Sequence, residues 1–177
     1  MSLGLCPPRR SRNVLTGLTR ASGQALVEFT LVFLLFLVIA WIPADFGLGF
    51  YTGQLAQNAV REGARIAASD PKLGSGTIPG MTWTTSCTMP SCSGNILSET
   101  AARISSALLP GAIITVTLDP DSVPPTAPKC DRNVTVRVSG AYRYFFFHLL
   151  RALGITTPDT LSIQRSTSMR WEHQWGC

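Results

Sequence analysis

Charge is scarce in this chain. Charged residues make up 14% of its 177 positions, with only 10 acids and 2 histidines, against 45% apolar residues. A chain so apolar is not a disordered one. The net charge of +5 is also not spread over a surface. Residues 1–23 hold Arg9, Arg10, Arg12 and Arg20 with no acid among them, and these four account for all but one of the excess positive charges. No block of Lys or Arg follows, which argues against a nucleic-acid partner. His148 and His173 are the only imidazoles, and neither stands beside a glycine-flanked nucleophile, a metal-spaced pair or a phosphate loop. The expectation is therefore a protein that is not an enzyme and that has no cofactor and no metal site. A length of 177 residues allows one domain plus an anchor.

What the first half does contain is a long apolar run. Ala25 to Ile42 is interrupted only by Glu28 and Thr30, and 18 helical residues reach about 27 Å, close to a bilayer core. Arginines precede this run and none follows until Arg61, so the positive-inside bias places the N-terminus in the cytoplasm. Everything beyond Pro43 is then extracytoplasmic. An ordinary cleaved signal peptide fits less well, because the run is long and the bulky stretch Ile39 to Pro43 offers no small-x-small cleavage site.

The boundaries read as follows: 1–23 a basic cytoplasmic leader, 24–44 a transmembrane helix, 45–70 an amphipathic extension of that helix, and 71–177 an extracytoplasmic domain. Within the extension, Gln54, Asn58, Arg61 and Arg65 fall on one face, and Ala56, Ala59, Gly63 and Ala67 on another. Ser69, Asp70 and Pro71 end it. Lys72 to Asn95 has loop composition, Ile96 to Leu109 the spacing of a short helix, and Ile113–Leu118, Asn133–Ala141 and Leu161–Met169 the alternation of strands. Asp119 to Asp131 is too rich in proline to pair in a sheet. Tyr142 to Leu153 reads as an aromatic, apolar connection with Gly154 as a helix stop.

The expected fold is α+β. A long N-terminal transmembrane helix, broken or bent near Pro43, leads to a small antiparallel sheet of three or four strands with one or two packed helices. The expected core comprises Leu97, Ile104, Leu108, Ile114, Val116, Val134, Val136, Val138, Ile163 and Phe145.

Cys87, Cys92, Cys130 and Cys177 all follow the apolar run, whereas Cys6 precedes it. Four cysteines in an oxidising compartment read as disulfides. A zinc site would want paired close spacings, which Cys130 and Cys177 lack. Cys87 and Cys92 can close a local loop, which leaves Cys130 for Cys177. If the strands from Asn133 and to Met169 are antiparallel neighbours, the positions flanking them share one end of the sheet. A bridge closing so long a loop contributes roughly 3 to 4 kcal/mol by chain entropy.

Glu28 is the informative residue of the apolar run. A carboxylate there costs on the order of 2 to 3 kcal/mol near the middle of a bilayer and less near its interface. A glutamate that snorkels to the headgroups and one that compensates a charge in a neighbouring subunit both fit. Gly23, Gln24, Ala25, Leu26, Val27, Glu28 and Phe29, followed by Asp45, Phe46, Gly47 and then Asn58 to Arg65, carry a resemblance. In combination this segment resembles the TadE-like family of tight-adherence pilus proteins. Its members pair a leader ending in Gly and a Val-Glu-Phe start of the membrane helix with an Arg-Glu-Gly-Ala-Arg segment beyond it. Later, Met169, Arg170, Trp171 and Glu172 are also similar to family members.

The resemblance implies a minor pilin or pseudopilin, cut by a prepilin peptidase between Gly23 and Gln24, with Glu28 as the assembly carboxylate. Arg61, Glu62, Gly63 and Arg65 are then the membrane-proximal signature. The implied partners are the peptidase, other pilins or pseudopilins, assembly-platform proteins and the lipid bilayer. The implied location is the cytoplasmic membrane, single-pass, with possible passage into a pilus. A membrane-anchored binding or adhesion module that is never processed shares the same features except removal of the leader.

Overall fold

The computed structural model describes residues 18–75, 81–120, 132–145, 154, 156 and 158–173. Their elements are α1 (Leu18–Ser69), β1 (Trp83–Thr88), α2 (Asn95–Ala102), β2 (Ile113–Leu118), β3 (Asn133–Arg143) and β4 (Thr160–Arg170). The fold is α+β, as composition and alternation anticipate. The chain divides into two compact units, one up to Ile42 and one from Pro43 onward.

The described part of the first unit, from Leu18 on, is helical, and its run from Ala25 is apolar. Leu26, Phe29, Leu31 and Phe36 are all more than 60% exposed, and α1 is long and apolar enough to cross a membrane. Among the described residues nothing covers these side chains. Within this stretch the Thr30 hydroxyl donates to the Leu26 carbonyl at 2.7 Å, which satisfies a polar group that hydrocarbon would not. Pro43 lies inside α1, and the helix is assigned through it to Ser69. Proline removes one backbone donor there, and the division between the two units falls at that residue.

The second unit is built on a four-stranded antiparallel meander in the order β1-β2-β3-β4. Strand alternation produces its core: Ile114, Val116 and Leu118 of β2 and Val134, Val136 and Val138 of β3 are fully buried. The later part of α1 supplies the facing layer, with Ala56, Ala59, Val60, Ala64 and Ala67 at zero exposure. Gln54, Asn58, Arg61 and Arg65 point to solvent, so the small-residue stripe is the helix face packed on the protein's own sheet. Along this face Leu161 lies where a Cβ on Gly49 would stand 3.3 Å from it, Arg165 likewise at Gly53, and Gln57 donates to Thr167 at 3.3 Å. The helix therefore advances in the same direction as β4.

Three expectations are corrected. Residues 83–88, read as part of a loop, form the edge strand β1, whose inward positions Trp83, Thr85 and Cys87 are only half-buried. With no run of large apolar residues, its strand character rests on Thr and Trp propensity and on a neighbour's hydrogen bonds. The helix expected to reach Leu109 ends at Ala102, with Arg103 as its cap. Ile104 and Leu109 are buried nonetheless, so their spacing reflects packing through turns rather than further helix. Phe145, placed in the core by its hydrophobicity, is 73% exposed. Leu108 is half-buried, and the other eight expected core residues are buried. Tyr142 and Arg143 complete β3, while the rest of the helix expected before Gly154 lies almost wholly outside the described residues.

Candidate functional site

Gly23, Gln24 and Glu28 lie in the helical, exposed first unit. Gln24 and Glu28 are four residues apart, hence one turn, about 6 Å, along one face. A side chain built on Gly23 would meet nothing within 4 Å. The fold thus gives no reason for glycine at a helical position where it is roughly 1 kcal/mol less favourable than alanine.

Gly63 is the opposite case. A Cβ there would run into the Thr100 hydroxyl of α2 and stand 3.3 Å from Val136 Cγ1 of β3. Thr100 is fully buried, and its hydroxyl is held by the Ile96 carbonyl at 2.7 Å. Glycine at 63 is what lets α1 lie against both α2 and the sheet.

The neighbours of Gly63 act at the surface. Glu62 accepts two hydrogen bonds from Arg65, at 2.6 Å and 3.1 Å, and one from Arg103 at 3.5 Å. Arg65 pairs within the helix, whereas Arg103 belongs to the turn after α2, so Glu62 ties the two helices. The Arg65 hydrogen bonds hold the Glu62 carboxyl below its ordinary value against some desolvation, with the charges of Arg65 and Arg103 adding to the effect. Arg65 is raised in turn by the same partner. Arg61 is exposed on the outer face. The signature therefore separates into one packing residue, one ion-paired cluster and one outward arginine.

Cys87 and Cys92 are joined in a disulfide with a Cα separation of 5.2 Å. Cys130 and Cys177 lie outside the described residues. The strands that flank them do pair, with Asn133 opposite Arg170.

Contacts at its two ends close the sheet unit. Asp45 is buried, and its Oδ1 accepts the Tyr142 hydroxyl at 3.0 Å and the Phe145 backbone N–H at 3.1 Å. Desolvation, followed by the Asp45 hydrogen bond and charge, pushes the Tyr142 phenol up to about 12. At the other end, buried Trp171 donates its indole N–H to the Asp70 carbonyl at 3.0 Å, and the Glu172 N–H reaches the Ala68 carbonyl at 3.0 Å. Arg132 stacks over the Trp171 ring at 5.4 Å. These contacts give the sequence from Met169 to Glu172 its physical sense, since it latches the chain's last strand to the end of α1. A lone aspartate past an apolar run and a tryptophan after a strand were the available signals, but neither names its partner. A cavity of about 260 Å³ opens between the Asp70–Leu73 turn, Trp83 and Thr85 of β1, and the start of α2.

The family model described as TadE-like protein matches residues 23–65. That is the segment that carries the resemblance, from Gly23 through the paired Glu62 and Arg65. No curated protein and no solved structure matches the chain.

Proposed function

We propose that this chain is a TadE-like minor pilin or pseudopilin, cut by a prepilin peptidase between Gly23 and Gln24, that serves the assembly of a tight-adherence pilus. The observation that carries the reading is the match of residues 23–65 to the TadE-like family model, and within that segment two of its five glycines, Gly23 and Gly63, stand in contrast. Gly63 is required by packing, whereas Gly23 meets nothing in the fold. The open space at Gly23 is compatible with a role outside the fold, at the site where a peptidase seats an extended backbone before the cut.

Cleavage leaves an ammonium on Gln24 with the Glu28 carboxylate one turn away. In a stack of subunits, the carboxylate of one copy compensates the ammonium of its neighbour, and neither charge is then buried alone. The remainder of the chain acts by presenting the sheet unit outside the cytoplasm. Its partners are other pilins, the assembly platform and the bilayer, and it works by association rather than catalysis.

The cavity beside β1 favours a second reading, an anchored binding module that is never processed. N-terminal sequencing of the protein from its native membrane separates the two. Gln24 as the first residue supports the pilin reading, and Met1 or Ser2 overturns it.

A further inference from the structure

The Pro43 end of the sheet unit exposes large apolar side chains brought together from distant parts of the chain. Phe46 and Phe50 stand one turn apart on α1, with Tyr51 beside them. Phe145 follows β3, and Leu161 opens β4. Phe50 and Phe145 are each 73% exposed and Tyr51 56%. Their level is set by Asp45, whose carboxylate holds the Phe145 backbone at 3.1 Å. A turn further on, a Cβ placed on Gly49 would stand 3.3 Å from Leu161 and 3.5 Å from Tyr142, so both side chains close on α1 at this glycine.

Asp45 is three residues past Ile42, so chain connectivity alone keeps it within about 11 Å of the apolar run's end. Phe145 shares that constraint although it lies 100 residues away in sequence. The acid at this level does not disturb an apolar environment. Asp45 is 3% exposed and turned inward onto Tyr142 and the Phe145 N–H, so the surface offered outward is aromatic. Tyr and Trp at the ends of a membrane span sit at headgroup level, and exposed Phe on an interfacial face is buried at the headgroup–acyl boundary.

We infer that the Pro43 end of the sheet unit is bedded in the headgroup boundary of the bilayer that α1 crosses, with Phe50 and Phe145 as its lipid-facing anchors. The inference rests on the membrane reading of residues 24–44. It adds that the folded domain, not the helix alone, binds lipid, which holds the sheet unit close to the surface while the chain waits in the membrane. A second copy of the chain is the rival occupant, but continuity with the span favours lipid.

The test uses the full chain with the photoreactive amino acid p-benzoylphenylalanine at one position at a time. The chain is reconstituted in vesicles of phosphatidylethanolamine and phosphatidylglycerol carrying an alkyne-tagged acyl chain. Phe33 lies within the span. Met81, 55% exposed, precedes Trp83, which pairs with Leu118 and through it lies level with Val134, and β3 separates Val134 from Tyr142 by roughly 27 Å. Lipid adducts at Phe50 and Phe145 in yields near that at Phe33, with only background at Met81, are expected. Lipid adducts at Phe33 but not at both collar positions, or protein–protein adducts at the collar in their place, overturn the inference and leave the span intact. Loss of lipid adducts at Phe33 as well overturns both.

Discussion

The Asp45 carboxylate takes the Tyr142 hydroxyl at 3.0 Å across 97 residues of chain, fastening the start of the sheet unit to the end of β3. The Tyr142 phenol is raised to about 12 from an ordinary 10, first by desolvation and then by Asp45. A group with a raised folded-state pKa contributes stability that is fully present below its unfolded value and lost as pH climbs through the folded one. Stability should thus fall between about pH 10 and pH 12. Tyr142→Phe removes this share, so the difference in unfolding temperature between wild type and variant shrinks across that window. A difference that stays constant with pH contradicts the coupling.

Gly63→Ala should destabilise the full chain by about 1–3 kcal/mol, the usual cost of overpacking a filled core. The added methyl meets the Thr100 hydroxyl. Removing that hydroxyl in the double variant Gly63→Ala, Thr100→Ala should recover part of the loss. Thermal unfolding of the detergent-solubilised chain measures both, and equal losses in the single and double variants would remove Thr100 from the account.

Gly23→Trp should leave a full-length precursor in the membrane with unchanged folding of the sheet unit, because the fold has room at that position. Glu28→Ala should still insert and be cleaved, since loss of a charge makes the span more apolar, yet should fail to join its partners. Immunoblotting for the precursor and scoring of pili in a complemented strain report the two steps separately. Full pilus formation by Glu28→Ala returns that residue to a snorkelling role.

Non-reducing peptide mapping of envelope-derived protein should recover the Cys87–Cys92 peptide and a second one joining Cys130 to Cys177. The first bond is present in the structure. The second is favoured by the pairing of Asn133 with Arg170, which puts the chain before β3 and the chain after β4 at one end of the sheet. A peptide joining Cys87 to Cys130 would refute this connectivity.

Much of this architecture follows from local patterns. The apolar run from Ala25 to Ile42, the opposed polar and small faces of 54–68 and the alternation in β2, β3 and β4 are periodicities that one segment carries by itself. The small face of 54–68 and the alternate positions of β2 and β3 are buried as their patterns require, whereas in β4 only Ile163 is fully buried. Strand β1 was not legible because an edge strand whose half-buried face is Trp83, Thr85 and Cys87 takes its order from a neighbour's hydrogen bonds rather than from its own hydrophobicity.

The matched segment from Gly23 to Arg65 was likewise legible as a motif, but the division of labour within it was not. A sequence shows five glycines in this segment, and only packing tells that Gly63 faces Thr100 while Gly23 and Gly47 have nothing within 4 Å. The inward turn of Asp45, the outward turn of Phe145 and the Trp171 latch were decided by tertiary structure alone. Each depends on a partner roughly 100 residues away, as Asp45 does on Tyr142 and Asp70 on Trp171. Hydrophobicity ranks a phenylalanine as a core residue, but where the backbone beside it is pinned to a buried carboxylate at the edge of the unit, its ring has no interior left to enter.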